Sequence, residues 1–152
     1  MSEYLITKAD KEDLREILKL QYLAYQSEAA LFGSKDIPPL KQTLEEVIEE
    51  YDFGIILKMM DDTGAIIGSV RAHESGGTVY IGKLMVHPEL RRRGLGKRLL
   101  SEIEQYYPGK RYELFTITRS KDNIHLYESV GYKAFDERAV DDELVFVYLE
   151  KI

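Results

Sequence analysis

From Leu14 to Tyr25 the apolar residues recur at helical spacing. Leu14, Ile17, Leu18 and Tyr25 share a face, with Leu20, Leu23 and Ala24 beside them. Asp10, with Asp13 three residues on, predicts the N-cap of this helix, and Gly33 predicts its stop. A strand over residues 4–7 precedes it. Residues 33–40, with Ser34, Asp36, Pro38 and Pro39, read as a loop. Thr43 and Glu46 then form a capping box for a second helix, whose Leu44, Val47, Ile48 and Tyr51 line one side.

The pattern changes after Gly54. Residues 54–60 and 66–72 are rich in β-formers and join around Asp62-Thr63-Gly64. Gly76-Gly77 marks the next turn, ahead of a strand over 78–87. Helical spacing returns at Gly94, with Leu99, Leu100, Ile103 and Tyr107 in phase until Pro108-Gly109. A strand over 112–118, a short helix over 121–130 stopped by Gly131, and strands over 132–136 and 144–151 follow. The order β-α-α-β-β-β-α-β-α-β-β predicts an α+β fold. An antiparallel meander feeds a strand–helix–strand crossover within one mixed sheet, with helices on its faces.

Composition narrows the chemistry. With 152 residues, 44% hydrophobic and 32% charged, the chain suits one soluble globular domain over 1–152. No apolar run approaches the roughly 20 residues of a membrane helix, and the start lacks a signal-peptide pattern. The absence of cysteine removes disulfides, thiolate zinc sites and a cysteine nucleophile, and fits a cytoplasmic location. His73, His87 and His125 are too scattered for a metal motif, so no metal is expected. A net charge of −6 argues against nucleic acid as a partner and tolerates a cationic one.

Against that acidic background one segment stands out, Leu84-Met85-Val86-His87-Pro88-Glu89-Leu90-Arg91-Arg92-Arg93-Gly94-Leu95-Gly96-Lys97. A strand runs into a basic, glycine-containing loop, and a helix starts at its far end. Free N–H groups and the positive end of the helix dipole attract phosphate there. Gly94 and Gly96 let the backbone approach a ligand closely. The loop is neither a Walker A sequence nor a dinucleotide fingerprint.

Arg91-x-x-Gly94-x-Gly96 after Leu84-Met85-Val86 resembles the Q/R-x-x-G-x-G/A signature of the GNAT N-acetyltransferase superfamily. Downstream, Asn123-Ile-His-Leu-Tyr127-Glu-Ser-Val-Gly131-Tyr132 is similar to that family's next motif. The resemblance covers most of the chain and is sharpest over residues 78–133. It implies a GNAT-like mixed, mostly antiparallel sheet flanked by helices, with a splayed parallel strand pair. It also implies an acetyl-CoA site: N–H groups of Arg92, Arg93, Gly94, Leu95, Gly96 and Lys97 on the pyrophosphate, with Arg91 beside them. Backbone groups of Leu84, Met85 and Val86 would pair with the pantetheine arm like an extra strand, a bulge turning one N–H toward the thioester carbonyl. Asn123 would contact that arm, and Tyr127, one turn along the same helix, would protonate the departing sulfur.

The catalytic base is left open. Many relatives carry a glutamate on the strand before the phosphate loop, whereas Gly82 and Lys83 stand here. His73, Glu74 and Tyr80 are candidates, directly or through water. Glu28 is a candidate for binding a cationic amine, although an exposed helix charge is the plainer reading. His87 and His125 read as surface or packing residues. The expected activity is transfer of an acetyl group from acetyl-CoA to a primary amine of a small molecule or peptide, by direct attack in a ternary complex. The rival reading is a non-catalytic acyl-CoA-binding sensor. No membrane partner is implied, and the resemblance allows a homodimer through the C-terminal strands.

Overall fold

The computed structural model describes residues 3–142 and 144–152. Among these described residues seven strands form one sheet in the order β1-β2-β3-β4-β5-β7-β6. They are β1 (Leu5–Lys8), β2 (Ile55–Met60), β3 (Ile66–Ser75), β4 (Thr78–Val86), β5 (Arg111–Ile117), β6 (Lys133–Ala139) and β7 (Val145–Lys151). Every neighbouring pair is antiparallel except β4 and β5. This is the mixed α+β fold with a parallel pair that the element order predicts.

Helices cover both faces. Helices α5 (Leu95–Gln105) and α6 (Lys121–Ser129) pack on one side, where Leu99, Leu100, Ile103 and Tyr127 meet Leu57, Val70, Val79 and Leu149. On the other side α1 (Leu14–Ala24) and α4 (Leu44–Phe53) bury Leu14, Ile17 and Val47 against Ile56 and Met85. Removing these side chains from water supplies the main drive to form both layers. The Thr43–Glu46 capping box is present, Thr43 Oγ1 accepting from Glu46 N at 3.2 Å and Glu46 Oε1 from Thr43 N at 2.9 Å.

Local structure departs from the sequence reading at four places, the simplest being β3, which runs to Ser75 rather than residue 72 because Glu74 and Ser75 pair with Val79 and Thr78. The first helix bends at Tyr25, and α2 (Gln26–Phe32) continues from there. A continuous helix would bond the Ala24 carbonyl to the Glu28 N–H; here that carbonyl accepts from Arg91 Nη2 at 2.6 Å and Ser27 Oγ at 3.3 Å. Within the expected loop, Pro38 and Pro39 open a short helix, α3 (Pro38–Lys41), because proline at the first helical positions loses no bond and starts with the right φ. The penultimate strand is Lys133–Ala139, longer than residues 132–136, because antiparallel pairing with β7 carries it on to Ala139 opposite Val145.

Two features of β4 prepare a site. Its pairing with β5 spans only Thr78–Arg111, Val79–Tyr112 and Tyr80–Glu113, after which the strands part. Against β3, Ser69 faces Met85 and Arg71 faces Gly82, so Lys83 and Leu84 together oppose Val70 in a β-bulge. Lys83 adopts φ +53, an uncommon conformation for a side chain with a Cβ.

Candidate active site

Where β4 and β5 part, a cleft of about 910 Å³ opens. Leu84, Met85, Val86, Arg91, Arg92, Gly94, Leu95, Gly96, Lys97 and Asn123 all line it. Two sequence motifs separated by a helix and a strand therefore share one wall. Arg93 is exposed and Tyr127 is buried, and neither lies on that wall. His125, expected at the surface or in packing, is exposed and reaches the cleft.

The N-terminus of α5 points at this cleft without a side-chain cap. Gly94 is the N-cap residue at φ +77, and the first helical bond runs from Arg98 N to Gly94 O at 3.2 Å. The N–H groups of Leu95, Gly96 and Lys97 precede that bond, so the helix supplies them no acceptor. A Cβ at Gly94 would meet nothing within 4 Å, so the space beside it is open. Arg92 adopts φ +65, and its side chain, 86% exposed, sits 3.6 Å from Asp122. The result is a ring of backbone donors with cationic side chains around it, suited to an anion.

Arg91 has a different local task. Its guanidinium bonds Ala24 O at 2.6 Å and Ser27 Oγ at 2.8 Å, tying the loop to the α1–α2 bend. At the other end of α2, Arg119 Nη1 donates to Leu31 O at 3.3 Å and Phe32 O at 3.2 Å. A cation on the last carbonyls also complements the helix dipole. Helix α2 is thus pinned at both ends by arginines.

The bend carries Glu28 into the cleft. Its Oε1 accepts from Thr116 Oγ1 and from Asn123 Nδ2, each at 3.3 Å, so α2, β5 and α6 converge on one carboxylate. Burial pushes the Glu28 carboxyl above its ordinary range, against the hydrogen bonds from Thr116 and Asn123 and the charges of Arg91 and Lys83. From the sequence alone an exposed helix charge is the plainer account of this residue; the bend that precedes it is in contact with Arg91, far along the chain.

Tyr127 packs in the core with its ring 6.2 Å from that of Tyr132. Burial, with the Glu28 charge nearby, holds its hydroxyl well above the usual phenol range, so it keeps its proton near neutral pH. The base candidates on the strands lie elsewhere. His73 stacks on Tyr80, centroids 5.4 Å apart, and meets the edge of Phe53 at 5.9 Å. Glu74 is paired with Lys110 at 3.0 Å. A second cleft, of about 520 Å³, holds His73 and Tyr80 together with Phe53, Phe115, Glu46, Glu49, Glu50 and Lys83. Burial lowers the Lys83 ammonium pKa, opposed chiefly by the Glu50 charge. The second cleft takes in Tyr80–Lys83 of β4 and the first takes in Leu84–Val86, so they adjoin at the bulge.

Comparison with known proteins places the fold. The family model for the acetyltransferase (GNAT) domain matches residues 20–152. Among curated proteins, the UPF0157 protein YqkA of Bacillus subtilis (strain 168) is 28% identical over 137 residues, covering 88% of this chain and 39% of that protein. An uncharacterized N-acetyltransferase of Schizosaccharomyces pombe is 35% identical over 85 residues, 53% of this chain and 52% of its own length. The chain thus spans about two fifths to one half of the length of these curated relatives. Among solved structures, the PaiA N-acetyltransferase of Thermoplasma acidophilum in complex with coenzyme A superposes with TM-score 0.82 at 19% identity, covering 98% of both chains. The ribosomal-protein-S18-alanine N-acetyltransferase of Escherichia coli gives TM-score 0.80 at 14% identity, over 98% of this chain and 93% of that one. YncA of Salmonella typhimurium, a protein solved with acetyl-CoA, gives 0.74 at 18%, over 97% and 92%.

Proposed function

The chain belongs to the GNAT acetyltransferase domain family, and from that premise we propose that it transfers an acetyl group from acetyl-CoA to a primary amine of a small molecule or peptide. The observation that carries this reading is the junction of two things in one cleft: the uncapped N-terminus of α5 and the unpaired end of β4. The first suits a pyrophosphate and the second suits an amide-bearing chain lying as a strand.

In this reading the N–H groups of residues 92–97 take the pyrophosphate, with Lys97 adding charge. The pantetheine amides pair with the backbone of Leu84, Met85 and Val86, and Asn123 reaches the same arm. The bulge at Lys83 and Leu84 turns backbone toward the thioester carbonyl, where an N–H would stabilise the developing oxyanion. Tyr127, buried behind the cleft wall rather than on it, supplies a proton to the departing sulfur; the burial that keeps it protonated also makes it a weaker acid, so the transfer needs a thiolate desolvated to a similar degree. The acceptor approaches through the second cleft, where the aromatic rings of Phe53, Tyr80 and Phe115 and the carboxylates of Glu46 and Glu49 suit a cationic amine. Attack is direct, within a ternary complex.

Thermal unfolding with and without acetyl-CoA tests the donor site. At a concentration about 100 times the dissociation constant, binding adds roughly 2.7 kcal/mol, a rise of about 5–10 °C for a chain of this size. A rise with acetyl-CoA, absent with an adenine nucleotide lacking the pantetheine arm, supports the assignment; no rise removes it. Free thiol released only in the presence of an amine then separates an enzyme from a non-catalytic sensor.

A further inference from the structure

We propose that Glu28 is the general base that takes the proton from the acceptor ammonium, an inference that rests on the acetyltransferase reading above. The carboxylate stands on α2 at the wall of the first cleft, and Lys83 of the bulge, which lines the second cleft, lies within its electrostatic reach, so Glu28 sits where the donor and acceptor clefts adjoin. Its Oε1 is held by Thr116 and Asn123 at 3.3 Å, which fixes its orientation. Among the described residues Oε2 has no hydrogen-bond partner, so one oxygen is anchored and the other is free to accept. The other carboxylate on that wall, Asp122, is 91% exposed and lies beside Arg92.

Charged and titratable groups from four surrounding segments act on Glu28. Tyr25 at the helix bend, Arg91 from the loop, Lys83 from the β4 bulge and Tyr127 from α6 all interact with it electrostatically. Burial outweighs the cations and the two hydrogen bonds, which makes this carboxylate a stronger base than an exposed one. The candidates on β3 and β4 are engaged otherwise, His73 and Tyr80 in an aromatic stack and Glu74 in an ion pair.

The step balances as follows. The ammonium gives one proton to the Glu28 carboxylate, and the freed lone pair forms the C–N bond at the thioester carbonyl. The carbonyl π pair moves onto oxygen. When it returns, the C–S bond breaks, and sulfur leaves with its pair and takes the Tyr127 proton. The surplus proton on nitrogen passes to the Tyr127 oxygen, and Glu28 releases its proton to solvent. The products are the acetamide, coenzyme A thiol and one proton.

The test is the pH profile of kcat/KM for wild type, Glu28→Gln and Glu28→Asp with acetyl-CoA and three amines: n-butylamine, 1,4-diaminobutane and glycinamide. Gln keeps an oxygen for Thr116 and Asn123 and removes only the basicity. Glu28→Gln is expected to lose about 100-fold or more at neutral pH and to recover as pH rises and the amine deprotonates by itself. Its acetyl-CoA affinity, by calorimetry, should stay within about threefold of wild type, a difference of about 0.65 kcal/mol. Glu28→Asp should keep the shape of the wild-type profile at lower rate. Wild-type turnover with an unchanged Glu28→Gln profile would overturn the base assignment alone. Acetyl-CoA binding without acetylation of any of the three amines would overturn the base assignment and amine transfer together, while absence of acetyl-CoA binding would overturn the donor site itself.

Discussion

Arg91 Nη2 holds the Ala24 carbonyl at 2.6 Å, joining residues 67 positions apart. One guanidinium thereby joins the basic loop to the helix bend from which α2 carries Glu28 to the cleft. An arginine that the family signature places beside a phosphate is thus also a bracket for the helix opposite. Arg91→Ala should lower the stability of the ligand-free protein by about 1 kcal/mol through its lost hydrogen bonds, or a melting temperature lower by about 2–4 °C. Arg91→Lys should recover little, because an ammonium lacks the fork that reaches Ala24 and Ser27 together. Differential scanning calorimetry without ligand reads this; an unchanged melting temperature for Arg91→Ala would remove the bracket.

Gly94 separates backbone geometry from ligand contact. Its φ of +77 penalises any side chain, while its Cβ direction is open. Gly94→Ala should cost about 1 kcal/mol of stability from the left-handed backbone. Gly94→Glu should add to that cost a loss of at least about tenfold in acetyl-CoA affinity, or 1.4 kcal/mol, because it sets a carboxylate beside the anion. Titration calorimetry on both variants checks it, and equal affinities for wild type and Gly94→Glu would take the pyrophosphate away from this loop.

Removing the Tyr127 hydroxyl tests the proton donor. The ring lies in the core, 6% exposed, so Tyr127→Phe keeps the packing. Turnover should fall by about a hundredfold, the lower end of what a positioned acid contributes, while acetyl-CoA affinity stays unchanged. Equal kcat for the two proteins would leave Tyr127 as a core residue only.

Glu28 has a stability signature independent of any substrate. Its carboxyl titrates above the unfolded value, chiefly because burial penalises the charge. Folding therefore favours the protonated form, and this contribution is complete below the ordinary carboxylate pKa and lost as pH rises through the raised one. Glu28→Gln should accordingly be more stable than wild type at neutral pH, and the difference should shrink as the solution is acidified through the carboxylate range. Melting temperatures from pH 4 to 8 measure it. A variant less stable than wild type at pH 7 would mean that the contacts with Thr116, Asn123 and Arg91 outweigh desolvation.

The elements were legible because they rest on local chemistry. The Thr43–Glu46 box, the Gly33 stop at φ +85 and the apolar face of α5 all follow from residues within two turns of one another. The basic loop before α5 was legible for the same reason, since strand, glycines and helix start are contiguous. The bend at Tyr25 was not, because the group that takes the Ala24 carbonyl comes from the loop before α5. Glu28 was legible only as a candidate for binding a cationic amine, with a solvated helix charge the plainer reading; its place beside Thr116 and Asn123 comes from residues far along the chain. The Lys83 bulge was anticipated only through family likeness, although Gly82 inside the strand, next to it, was a local signal for one.

Three parallel residue pairs, Thr78–Tyr80 against Arg111–Glu113, are the whole seam between β1–β2–β3–β4 and β5–β7–β6. Beyond that seam the two half-sheets are held together by the side chains beneath them and by α5 and α6, with a wedge of unmade backbone pairs between the strands. A donor arm lying in the wedge would work as a strut, completing a surface the polypeptide leaves unfinished. Amide exchange along Ile81–Val86 should then slow on loading far more than exchange along the already paired β2.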